Sequence, residues 1–326
     1  MATIRTGRRG GALLAVLWLS AALSAIAFSL ANTVRGEVER TSTAVDGLKA
    51  YYLASAGVER GILYVQWAFE GRVPQAAAFR YTPGIPVLPF SFPTGQARVE
   101  IIPETAKLNI NTSPPTDLLR LILALGAQPE RAQALVAGIL AWRTPGAAPP
   151  AGGFNPGILP SFRSRGASFE EVEELLLIRG MTSDLFYGGY DRNAEGHLVP
   201  HGGLRDCLSV FGATDRFDVN TAPAAVLAAI GMPPDAVAAI VARRRIQAFQ
   251  NAGEVAAFAP GGGPAFGRLR VGGNSIFTFR STATLRLSNG QTSDVRRTVA
   301  ALVKFMPVGY DAPLHILRWY DNAWTP

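Results

Sequence analysis

The sequence predicts an α+β fold in which one long N-terminal helix packs on a small antiparallel sheet and a large all-α insertion interrupts the chain between strands. Three observations carry this. No charged residue occurs from Gly10 to Val34, and helical periodicity continues beyond that run. Strand-like stretches occur at 97–103 and then only after residue 275. Between them, residues 107–143 and 216–244 repeat one another.

The first element is the helix. The stretch ALLAVLWLSAALSAIAFSLA (12–31) is long enough to cross the roughly 30 Å hydrocarbon core of a bilayer. Arg5, Arg8 and Arg9 precede it, so the positive-inside rule keeps the short N-terminus in the cytoplasm and sends everything after Arg35 outward. The rival is a cleaved secretory signal peptide with a small-residue exit at Ala25 or Ala27. Against it, the apolar run is long for such a signal. Val34, Val38, Val45, Leu48, Tyr52 and Ile62 also extend the pattern at helical steps, with charges between them. A single helix over 12–69 is expected, apolar all round at first and one-sided later.

The chain from Gly71 to Gln96 is rich in Pro and aromatics without helical period and reads as a loop. ARVEIIP (97–103) reads as the first strand. The insertion follows. KLNINTSP at 107 matches RFDVNTAP at 216, and each is followed by a helix, a turn at Gly126 or Gly231, a Pro with an acid after it, and a second helix. The Asn/Asp-x-Asn-Thr start supplies side-chain caps, and the glycines suit the reversal. SFEEVEELLLIRGMTSDLF (168–186), with Gly180 at its turn, reads as a third, looser copy. Three more strands are expected at 276–287, 295–305 and 314–321, the first two joined by a hairpin signal at Asn289-Gly290.

Charge and chemistry narrow the function. The formal charge is +7, and without the three leader arginines it is +4, spread thinly along a chain with 48% hydrophobic and 17% charged residues. That is a folded composition with no basic tail. Helix-hairpin-helix units commonly bind DNA backbone through a G-x-G turn. Here the turns read Gly-Ala-Gln-Pro and Gly-Met-Pro-Pro, which leaves Arg243, Arg244 and Arg245 as the candidate phosphate contacts. No nucleophile elbow, P-loop or dinucleotide fingerprint occurs, so an enzyme is not expected. Cys207, the single cysteine, reads as a core residue. In DRNAEG, Asp191, Asn193 and Glu195 alternate as in half a calcium loop. The twelfth-position Glu is missing there, and a polar hairpin turn is the competing reading.

The leader RRGGALLAVLW resembles that of the pilin superfamily, and within it the type II secretion minor pseudopilin known as general secretion pathway protein K. The hairpin repeats inside a pilin frame are a second resemblance, covering nearly the whole chain. The resemblance implies cleavage by a prepilin peptidase between Gly10 and Gly11, or after Gly11. It places Ala15 at the fifth mature position, where most pilins carry a glutamate and the K type does not. It implies a pilin-like division into a leader (1–10), a transmembrane helix (11–34), and helix continuation, loop and first strand (35–106). The inserted helical domain (107–265) and C-terminal strands (266–326) complete it. The implied role is capping the tip of a pseudopilus and helping to start its assembly for protein export. Its partners would be the other minor pseudopilins and the major pseudopilin. The implied location is the bacterial inner membrane with the C-terminal domain in the periplasm, and calcium is an implied candidate ligand of the helical domain. A membrane-anchored DNA-binding protein of the uptake type is the alternative function.

Overall fold

The computed structural model describes residues 10–71, 81–147, 166–193, 195–258, 263–287, 290–307 and 309–323. The chain opens with α1 (Gly10–Phe69), followed by β1 (Val87–Phe92), β2 (Gly95–Pro103) and the short β3 (Leu108–Asn109). Next come α2 (Pro115–Ala124), α3 (Pro129–Arg143), α4 (Ser183–Tyr187), β4 (Gly189–Arg192), β5 (Leu198–His201), α5 (Leu204–Cys207) and β6 (Leu208–Ser209). Then follow β7 (Phe217–Asp218), α6 (Ala224–Ala229), α7 (Pro234–Ile246), α8 (Ala252–Phe258) and β8 (Leu269–Arg270). The chain closes on β9 (Ile276–Arg286), β10 (Thr292–Phe305) and β11 (Leu314–Tyr320).

The sheet has the order β1-β2-β9-β10-β11 with every pairing antiparallel. Its inner face and α1 share one core, in which Ala54, Val58, Val65, Val99, Phe279, Val299 and Val303 are buried. Small residues on α1 set the approach. A Cβ on Gly57 would lie 2.3 Å from Ser281 Oγ, and one on Gly61 would lie 2.9 Å from Val99. Helix and strand therefore touch nearly backbone to backbone, the closest packing available.

The loop expected from 71 to 96 is corrected at its end, because Val87–Phe92 is an edge strand paired with β2. Leu88 and Phe90 point into the core while Pro89 and Ser91 face out. Pro89 is tolerated because an edge strand has a side that needs no N–H donor. Proline and aromatics masked the alternation in the sequence.

The chain between the frame strands β2 and β9 builds a second core running from Leu108 to Leu269. It is mainly helical, with two-residue parallel pairs β3–β6 and β7–β8 and the β4–β5 hairpin added. The third hairpin copy is also corrected: 168–186 holds a 3-10 segment, Val172–Leu177, and the five-residue α4, too short for a helical hairpin. Asn289 lies outside the described residues, and Gly290 has a φ of 83° beside the turn from β9 to β10.

Candidate functional site

The two repeats are built on one plan. In the first, Asn109 Oδ1 accepts the N–H groups of Asn111 and Thr112, fixing the turn before α2. In the second, Asp218 Oδ1 accepts from Asn220 N–H and Oδ2 from the Thr221 hydroxyl. Three of the four hairpin helices start on a proline, Pro115, Pro129 and Pro234, where a missing N–H costs nothing. Each reverses on a glycine with positive φ, Gly126 at 86° and Gly231 at 98°. Gly180, at 88°, turns the chain just before α4.

A clasp closes each unit. The Asn111 side chain exchanges two hydrogen bonds with the backbone of Phe169, at 2.7 and 3.0 Å. Asn220 makes the same pair with Phe249, at 2.8 and 2.9 Å. Arg143 donates to the carbonyls of Ile110 and Ser113, and Arg244 to those of Val219 and Ala222. Five residues beyond each clasped Phe, a glutamate caps the next backbone turn: Glu174 accepts from Glu170 N–H and Glu254 from Gln250 N–H. The stretch read as a third copy is therefore the tail of the first unit, matching 249–254 in the second. Equivalent carbonyls explain why burial, which pulls the pKa of both Arg143 and Arg244 below the ordinary value, is tolerated.

This accounts for most of the arginine cluster. Arg244 is the clasp residue of the second unit, and Arg243 lies over the Phe249 ring and donates to Gln247. Arg245 is the exposed member. Asp191, Asn193 and Glu195 lie on the β4–β5 hairpin, where Asn193 Oδ1 accepts from His197 N–H at 2.8 Å, the geometry of a polar turn. Among the described residues no group of three or more His, Cys, Asp or Glu is placed to hold a metal.

The insertion is joined to the frame through polar contacts at the far end of the sheet. Glu104 pairs with Lys107 at 3.2 Å and accepts from the Thr278 hydroxyl, all three residues being buried. Asn274 donates to Asp218 and Thr221 and accepts from Thr105. An exposed pair, Arg318 with Glu171, clips β11 to the first unit.

A model of the family described as type II secretion system protein K matches residues 217–271, the second repeat from β7 through β8. No curated protein matches the sequence. Among solved structures, a chain of the GspK–GspI–GspJ complex from the type 2 secretion system of enterotoxigenic Escherichia coli has the same fold. The superposition has a TM-score of 0.54, covers 90% of this chain and 99% of that one, and has 15% sequence identity. Residues 217–271 carry that family's signature, and the chain shares the fold of that solved structure.

α1 is the one helix among the described residues long and apolar enough to cross a membrane, and the apolar part is wholly exposed. Gly10 and Gly11 begin it and Ala15 lies one turn in, among exposed apolar side chains. Cys207 sits in the core of the insertion, where burial pushes its thiol pKa up to about 12.

Proposed function

We propose that this chain caps the tip of a type II secretion pseudopilus and helps to start its assembly for protein export. Before assembly, α1 anchors it in the bacterial inner membrane with the head in the periplasm. A prepilin peptidase removes the leader between Gly10 and Gly11, or after Gly11.

One observation carries the reading. Among the described residues the insertion adds its bulk at the end of the sheet farthest from the anchor and over its upper outer face, where Phe69 at the end of α1 meets Phe277 at the start of β9 with ring centroids 6.0 Å apart. A head enlarged there obstructs a subunit stacked beyond it and leaves the membrane-proximal side open. Ala15 supports the same reading, since a tip subunit has no subunit ahead to supply an amine for a buried glutamate, and an unpartnered charge in a bilayer is costly. By analogy with the solved complex, its partners are other minor pseudopilins, with the major pseudopilin below them.

The test is genetic and chemical. A host strain lacking this chain loses export and pseudopilus formation, and the wild-type chain restores both; undiminished export in the deletion strain sinks the reading. Mass spectrometry of the membrane-extracted protein gives a mature N-terminus at residue 11 or 12. A terminus between residues 25 and 32 would show instead a cleaved signal peptide.

A further inference from the structure

The sheet descends along the anchor helix toward the membrane. Phe277 lies against Phe69, Phe279 beside Gly61, and Ser281 at Gly57, while Leu53 and Leu285 meet at Gly95. Helix α1 covers the inner face, and the joint to the insertion covers the upper outer face through Glu104 and Thr278. Among the described residues nothing covers the lower outer face, and it is basic.

Arg98, Arg286 and Arg296 are exposed there. Arg98 stands opposite Thr282 and Arg296 opposite Thr284, with Arg286 two residues farther down β9. Among the described residues none of these three side chains has a hydrogen bond or ion pair. The nearby Glu100 is already taken by Arg280. Asp294 is the one acid on β10 to offset them.

We infer that this lower outer face is a docking surface for an acidic patch on the head of a neighbouring pseudopilin. The inference rests on the pseudopilin reading above. Distance decides between a protein neighbour and the bilayer. From Val34, where the uncharged run ends, to Leu53 is about 28 Å of helix at 1.5 Å per residue. That is more than three times the Debye length of roughly 8 Å at physiological salt, so anionic headgroups are screened from these arginines. A neighbouring head anchored in the same membrane lies at their level, and opposed charge there sets register and encounter rate.

The experiment measures binding of the full-length chain, in detergent, to the purified heads of minor pseudopilins from the same secretion system. Wild-type protein is compared with Arg98→Glu/Arg286→Glu/Arg296→Glu, and with the milder Gln triple, as a function of salt. The expected result is binding at least about tenfold weaker for the Glu triple, intermediate for the Gln triple, with the salt dependence of the wild type lost. Equal affinity and equal salt dependence overturn the docking surface while leaving the pseudopilin reading intact. No binding by the wild-type chain to any pseudopilin overturns both. Insertion into phosphatidylcholine and phosphatidylglycerol nanodiscs supplies the other arm, since α1 holds every variant alike: hydrogen exchange at β2 and β9 slowed by phosphatidylglycerol in the wild type and not in the triples, with pseudopilin affinity unchanged, assigns the patch to lipid and overturns the inference. Thermal melts of both triples check the fold, and the Gln triple serves if the Glu triple unfolds.

Discussion

Asn220 is held at 4% exposure with its amide spent on the Phe249 backbone. Asn220→Ala strands one buried N–H and one buried carbonyl, and is expected to cost about 2–4 kcal/mol in urea unfolding. The matching Asn111→Ala, at a less buried site, costs less. Equal costs would show that burial does not grade the clasp. The Asn-Thr motifs of this clasp were legible in the sequence because they recur with the same neighbours. Arg143 and the Phe169–Glu174 tail were not, because 25 residues separate Arg143 from Phe169 where only four separate Arg244 from Phe249. That difference breaks the repeat's register just where the clasp closes. A second prediction concerns alkaline pH. Burial, helped by Asp206, raises Cys207 from 9.0 to about 12, and burial with Asp218 raises Tyr81 above 10.0. Above pH 9 the unfolded chain therefore releases protons that the folded chain retains, so the unfolded state binds fewer and stability falls as pH rises. Each titrating group adds a slope of up to about 1.4 kcal/mol per pH unit. Denaturation curves between pH 8 and 11 check this, and Cys207→Ala should flatten the onset.

At the scale of elements, the contact of α1 with the sheet is a surface of small residues. Gly57→Ala would improve helix propensity by up to about 1 kcal/mol, yet its Cβ would meet Ser281 Oγ at 2.3 Å and Ala97 Cβ at 2.9 Å. The clash dominates, with a net loss of about 1–3 kcal/mol expected in thermal or urea melts. Gly47→Ala is the control, since its close neighbour is the flexible end of Arg297 at 3.3 Å, and a neutral or slightly stabilising effect is expected. A neutral Gly57→Ala would mean that helix and sheet can move apart freely. Strands β2, β9, β10 and β11 were readable as strand-like runs, the middle pair flagged by Asn289-Gly290, and the long helix from its uncharged stretch and helical steps. Strand β1 was not, since Pro89 on its outward side looks like a breaker until the strand is known to lie at an edge. The two-residue strands fastening the repeats are too short to leave any pattern.

Over the whole molecule, the two cores communicate through a narrow polar joint. Glu104→Ala leaves Lys107 charged and buried, and is expected to cost about 3–5 kcal/mol of unfolding free energy. Arg318→Ala removes an exposed pair and should cost under about 1 kcal/mol. The reverse ranking would place the attachment of the insertion at β11 rather than beneath β2. The 60 residues of α1 carry no proline, and its hydrogen-bond ladder spans about 90 Å from its apolar N-terminal end to the head. With the sheet seated on its last third at van der Waals contact, that helix behaves as a strut. A displacement imposed on its apolar end is delivered to the head undiminished, so lifting that end and raising the insertion are a single motion.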